Sequence, residues 1–222
     1  MNITKGITCK AYARKKRTEK ILQSMGITTN QWLPCVEPEE YAKIRSAKDV
    51  ARRVVALSNL LVKAGDVGRN DIVPFLKAQK LWKYVSPQEQ EFLQHPNPGL
   101  PDINQAAWRV EGLWVLLWAL NIISDLGIPD KECSSDFINH FILHINGISK
   151  GFIKKAKLRS LSEILDVSDF IYQSNWAVWD NHLYGKSKCG NLDKDVLMEW
   201  HHAINWLTCY NDAEWDDVAI DT

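Results

Sequence analysis

The sequence predicts an all-α fold, a single compact multi-helix domain of about eight helices around a buried central helix rich in tryptophan and leucine. Three observations carry this. Apolar residues recur at helical spacing through nearly the whole chain, and no convincing alternation of period two accompanies them. Two Ser-x-x-Glu boxes mark helix starts, because each side chain there satisfies an orphan backbone N–H of the first turn. Residues 108–120 are apolar on every side beyond Gly112, as suits a helix with others packed around it.

Along the chain, helices are expected over 11–25, 46–64 and 71–84. Ser86 then reads as an N-cap, Pro87 fits the first helical position, and Glu89 completes the box. The central helix is expected over 102–126, with Trp114 and Trp118, four apart, stacked along one face. Another helix is expected over 135–146. Ser160 and Glu163 open the next, and Gly185 ends it in the left-handed conformation that glycine adopts freely. Its apolar face is Leu161, Ile164, Leu165, Ile171, Tyr172, Trp176, Trp179 and Leu183; Glu163, Asp166, Gln173 and Asp180 form the other. The last helix starts at Asp193 and carries Val196, Leu197, Trp200, Ile204, Leu207 and Tyr210 as a stripe. Loops fall at 26–40, 65–70, 95–101, 127–134 and 185–192, none long or biased enough to be an interdomain linker. Residues 1–222 are therefore expected to form one α-helical domain.

Composition excludes several classes. With 27 basic and 27 acidic side chains the chain has no global field to draw it to nucleic acid or an anionic membrane. Its longest apolar run, Gly112 to Leu120, is far shorter than the ~20 residues that cross a bilayer. No apolar run at the N-terminus has the length of a secretory signal, so a cytoplasmic location is expected. Cys9, Cys35, Cys133, Cys189 and Cys209 form no CxxC pair, which fits reduced thiols. The stretch Lys5 to Lys20 holds seven basic residues, and Lys150, Lys154, Lys155, Lys157 and Arg159 form a second patch. Both read as solvated helix faces without interleaved aromatics, so nucleic acid is not an expected partner.

The chemical motifs are incomplete. Glu199 and His202 form a Glu-x-x-His, half of what a di-metal bundle needs, so His202 is read as a structural histidine near Trp206. His140 and His144, with Asp136 one turn earlier, lack the glutamate of a zinc-protease helix. Cys209 beside His202, or Ser174 near Asp180 and His182, are pairs that helical spacing creates often. No catalytic residue, metal site or cofactor is expected.

Eight of the ten tryptophans lie in 108–118, 176–179 and 200–215, and they define the expected core: Trp108, Arg109, Glu111, Trp114, Trp118, Trp176, Trp179, His202, Trp206 and Trp215. Arg109 and Glu111 need partners at the entrance to that core, and Asp216 or Asp217 is expected beside Arg109. The acidic end permits two readings. In one, Trp215 folds back onto the core; in the other, the tail is a negative surface for a basic partner, with Trp215 the one tryptophan working at the surface.

The segments Arg17 to Leu22, Gly26-Ile27, Leu33-Pro34 with Glu37, Ile44 to Ser46, Val50 to Arg53 and Trp108 to Leu120 resemble the bacterial family known as domain of unknown function 4272. So do Leu161 to Asp166, Trp176 to Val178, His202 to Leu207, Glu214 to Val218 and Asp221-Thr222. The likeness departs at 128–158 and at Gly112, where alanine is more typical. It implies one α-helical domain with no established reaction. Proteins of this type occur in settings that include polymorphic toxin systems, which implies a toxin-neutralising role. The expected function is thus a non-enzymatic immunity protein that occludes the active site of a cognate protein toxin, with Glu37, Glu39, Glu40, Asp212, Glu214 and Asp217 as charged contacts. The alternative is an enzyme or small-molecule binder with a pocket near Glu111 and His202.

Overall fold

The computed structural model describes residues 4–66 and 68–221, the first six of these as backbone alone. Its helices are α1 (Thr4–Ser24), α2 (Ala47–Gly65), α3 (Ile72–Ala78), α4 (Pro87–Gln94), α5 (Leu100–Ala119), α6 (Ser135–Lys155), α7 (Leu161–Tyr184) and α8 (Lys194–Leu207). No strand occurs among the described residues, and no described helix is long and apolar enough to cross a membrane. Neighbouring helices run in the order α6, α2, α5, α8, α7, α1, while α3 and α4 pack on the flank of α2. The tryptophan-rich α5 is enclosed between α2 and α8, and α2 is as deeply buried, with Val50, Ala51, Val54, Val55 and Leu57 fully shielded.

The starts follow the local rules. Ser86 and Ser160 each accept from the backbone N–H three residues on, and Glu89 and Glu163 reciprocate; Asp193 caps α8 and Gly185 closes α7 at φ 62°. The ends depart from expectation where the backbone turns left-handed outside glycine. Asn121 at φ 61° follows α5, which ends near Ala119 rather than 126; Arg159 then takes the carbonyls of Trp118, Ile123 and Ser124. Lys80 at φ 57° divides the expected 71–84 helix into α3 and a 3-10 turn at Trp82–Tyr84. Cys209 at φ 53° stops α8 before Tyr210. In the other direction, α6 continues past 146 through Gly147 and Gly151, because Ile145, Ser149, Phe152 and Ile153 keep meeting the core at helical spacing. Tertiary packing here outweighs the poor helix propensity of glycine.

Two faces of α7 are buried, not one. Gln173, expected on the polar face, is enclosed and donates to Asp169 at 2.8 Å, because α1 covers the side of α7 that α8 does not. Leu183, expected on the apolar face, is exposed in the last turn, beyond the reach of its neighbours. Trp114 does not stack on Trp118: it meets Phe137 edge-on and donates to the Leu126 carbonyl at 3.1 Å, whereas Trp118 lies under the Arg159 guanidinium.

At Gly112 an added Cβ would sit 3.5 Å from Ala203 Cβ and 3.7 Å from Trp215, ordinary contact distances. Gly112→Ala should therefore stabilise the protein by about 0.5–1 kcal/mol through helix propensity. Urea unfolding would read this as a higher midpoint at unchanged slope; a lower midpoint would mean that the α5–α8 contact has no slack.

Candidate functional site

The C-terminal segment closes one end of the α2–α5–α8 layer. Trp215 is buried there, edge-on to His202 at 4.5 Å and to Trp206 at 5.3 Å between centroids, with the Arg53 guanidinium carbon 4.2 Å from its ring centroid. His202 Nε2 donates to the Trp215 carbonyl at 2.9 Å, which assigns the proton to that nitrogen. The surface reading of Trp215 is thereby corrected: an indole this size gains more from apolar burial than from display. The exposed tryptophan is Trp32, at 84% relative exposure, in the loop after α1 and outside the three helical stretches.

Charges ring this plug. Arg53 pairs with Glu89 and donates to the Tyr84 carbonyl at 2.9 Å. Arg109 reaches both carboxylate oxygens of Glu199, at 3.1 and 3.0 Å. The expected partner of Arg109 is thus corrected from the tail aspartates to Glu199, which is one helix away across α5 and α8. Asp216 instead accepts from the Gln88 backbone N–H at 2.9 Å, at the start of α4 where the helix dipole favours a carboxylate. A cavity of about 270 Å³ remains between these groups, lined by Glu89, Phe92, His95, Asp102, Arg109, Trp215 and Asp216.

Glu111 and His202 do not open into that cavity. Glu111 is fully buried, accepting from the Cys133 backbone N–H at 2.7 Å and from Trp200 Nε1 at 3.1 Å, so it pins the segment before α6 to α8. Burial raises its pKa above the usual carboxylate range, and it pushes the Cys133 thiol up as well. The expected pocket near these two residues is replaced by one beside Arg109. Cys209 lines a second cavity while His202 donates to the Trp215 carbonyl, so Cys209 and His202 do not pair. Ser174 is buried away from Asp180, which accepts from Ser187. His140 and His144 lie exposed on α6, and the described residues contain no group of three or more ligand side chains placed to hold a metal.

The first basic segment is a solvated face only in part, with Lys10, Arg17 and Lys20 exposed. Arg14 and Lys15 are buried: Arg14 pairs with Glu39 and Asp166, and Lys15 donates to the carbonyls of Gln31 and Leu33. Lys5 and Cys9 lie outside the described side chains. In the second patch, Lys150, Lys154, Lys155 and Lys157 are exposed, and Arg159 is committed to the end of α5. Among the acids singled out as contacts, Glu39 is half-buried against Arg14, while Glu37, Glu40, Asp212, Glu214 and Asp217 are exposed. Asp212 bridges to Lys43 and Glu214 to Arg45, which joins the 37–45 segment to the tail.

Burial keeps both histidines of α8 uncharged, lowering His201 to about 4 and His202 to about 3, the latter helped by Arg109 and Arg53. The unfolded chain takes up these protons near pH 6.5, so between the two values it binds more protons than the folded chain. Stability contributed by neutral histidines is therefore lost as pH falls from 7, by roughly 2 kcal/mol for each at pH 5. Glu111, Glu199 and Asp169, raised by burial, oppose part of this loss. His202→Gln, which can still donate to the Trp215 carbonyl, should flatten the decline. Urea midpoints at pH 7 and pH 5 would check it, and an unchanged decline would remove His202 as the cause.

Four segments meet at the Trp215 plug: the Arg53 turn of α2, the Arg109 turn of α5, His202 to Leu207, and the tail. All four carry the sequence likeness described above. No curated protein and no solved structure matches the chain. The family described as "Domain of unknown function (DUF4272)" matches residues 14–218, nearly the whole length, and the chain belongs to that family.

Proposed function

We propose that this chain is a bacterial, cytoplasmic immunity protein that binds a cognate protein toxin and covers its active site without chemistry of its own. The observation that carries this reading is a rim built from two distant segments. Glu37, Glu40 and Tyr41 come from one; Tyr210, Asp212, Glu214 and Asp217 come from the other. Lys43–Asp212 and Arg45–Glu214 tie them together, and Arg45 also donates to the Ala213 carbonyl at 2.6 Å. A surface held in place before binding loses little entropy on association. Exposed Tyr41 and Tyr210 among carboxylates supply aromatic anchors and the charge to steer a basic partner. A stable complex would bury about 1,200–2,000 Å² in total.

Co-expression with the product of the adjacent gene, scored by complex formation and growth, tests the proposal. Combined charge reversal at Glu37, Glu40 and Asp217 should abolish protection and weaken binding by roughly 100-fold or more, since like charges across an interface cost several kcal/mol. Thermal stability should stay near wild type, because these side chains are exposed. Protection undiminished by the reversal would exclude this rim. Conservative Glu111→Gln should leave protection intact; its loss with binding retained would count against simple occlusion. The small-molecule alternative is supported by the cavity of about 270 Å³ beside Arg109 and Trp215.

A further inference from the structure

A groove of about 830 Å³ opens beside the second half of α6, walled by Leu120 and Ile122 from the turn after α5 and by Ile148 and Phe152 of α6. Ile122 and Ile148 are 42% and 57% exposed, so part of this apolar lining stands in water. α6 ends the layer of helices, packed on α2. The walls are tied together: Asn121 donates to the Lys157 carbonyl at 3.3 Å, and the Arg159 backbone N–H donates to the Ala119 carbonyl at 2.9 Å. Asn59 and Asn146 exchange side-chain hydrogen bonds at 2.9 and 3.0 Å, which fixes α6 to α2. A groove held in shape before binding loses little entropy on association.

The charge around the groove has one sign. Lys150, Lys155 and Lys157 line it with no aspartate or glutamate among the lining residues, and Lys154 is exposed alongside. Among the described residues none of these four lysines pairs with a carboxylate, in contrast to Arg14 and Arg53 elsewhere in the chain. Gly147 and Gly151, one helical turn apart, belong to the same lining, and a Cβ at either would meet nothing within 4 Å. Glycine is a poorer helix former than alanine, and no contact within the chain requires it at these positions. The bare backbone there leaves room for another chain to come close.

We propose that this groove receives an acidic amphipathic helix of a partner protein, its apolar side chains seated on Leu120, Ile122, Ile148 and Phe152 and its flanking carboxylates facing Lys150, Lys155 and Lys157. Charge complementarity selects this occupant. A second copy docked through the same face by a two-fold axis would set the lysines against themselves. A membrane takes up apolar side chains that project, whereas Leu120 is 4% exposed and Phe152 half-buried, sunk in the walls. A helix laid in the groove instead continues the layer beyond α6 and covers both exposed isoleucines. The groove shares no residue with the acidic rim, which calls for a basic partner, so this inference stands apart from the immunity reading.

Fluorescence anisotropy of the isolated full chain with a labelled peptide of about 16 residues, long enough to hold a helix, tests this. The probe carries leucines at helical spacing on one face with glutamates beside them. Its controls are a scrambled peptide of the same composition and a peptide with lysine for every glutamate. The probe should bind saturably, the scrambled peptide roughly tenfold more weakly, and the lysine peptide not at all. Lys150→Glu combined with Lys155→Glu should weaken binding by roughly tenfold or more. Gly151→Leu should do the same by filling the groove, while thermal unfolding stays at or above wild type. Lys150 and Lys155 are exposed, so their variant tests the groove even if Gly151→Leu fails to fold. The proposal is overturned if the probe does not bind at millimolar concentration, if the scrambled peptide binds equally well, or if the lysine variant binds as wild type does. Cosedimentation with phosphatidylserine vesicles without peptide binding would overturn it in favour of a lipid surface, and self-association lost in the lysine variant would overturn it in favour of a second copy.

Discussion

Burial of Trp215 commits the tail to the body of the protein, and much else depends on it. The indole fills the space over Gly112 and Ala203, fixes the His202 ring and brings Asp216 to the start of α4. Through Arg53, whose guanidinium covers the indole and pairs with Glu89, the same contact joins α2 to α4. Trp215 therefore acts as the point where otherwise separate helix pairs share one neighbour. The acidic rim inherits its shape from this: Glu214 and Asp217 project because Trp215 and Asp216, which lie between them, are drawn inward.

A second regularity is the use of basic side chains as caps for main-chain carbonyls. Arg159 serves the end of α5, Arg45 reaches the carbonyls of Trp206 and Ala213 near the end of α8, Arg53 takes Tyr84, and Lys15 takes Gln31 and Leu33. Helix C-termini and loops leave carbonyls without partners, and a cation both donates to them and complements the helix dipole. This is how Lys15 and Arg53 are kept nearly dry without a lone desolvated charge.

The fold class, the helix starts and the burial of α5 were legible in the sequence because they rest on local rules: caps, proline at the first turn, and apolar spacing. Helix ends at Lys80, Asn121 and Cys209 were not, since a non-glycine residue in the left-handed region has no strong local mark. Gly147 and Gly151 misled in the opposite sense, because propensity there is overruled by packing against α2. The partners of Arg109 and the burial of Arg14 and Lys15 come from helices far apart in sequence. Of the candidate site, the acids of the rim were visible as charge, whereas the groove beside α6 depends on a stretch of helix beyond 146 and on the turn after α5, which no spacing rule connects.

That separation has a kinetic side. Among the helices, α1 packs chiefly on α7, and Arg14 finds Asp166 only after a further 152 residues. At synthesis rates of about 5–20 residues per second, the first helix stands alone for roughly 10–30 s. During that interval its apolar residues, Ala11 and Leu22 among them, lack the helix that later shields them. The positive charge of this segment then keeps the nascent chain in solution, and once α7 is complete Arg14 is buried in a pair with Asp166 while Lys10 and Lys20 stay in water.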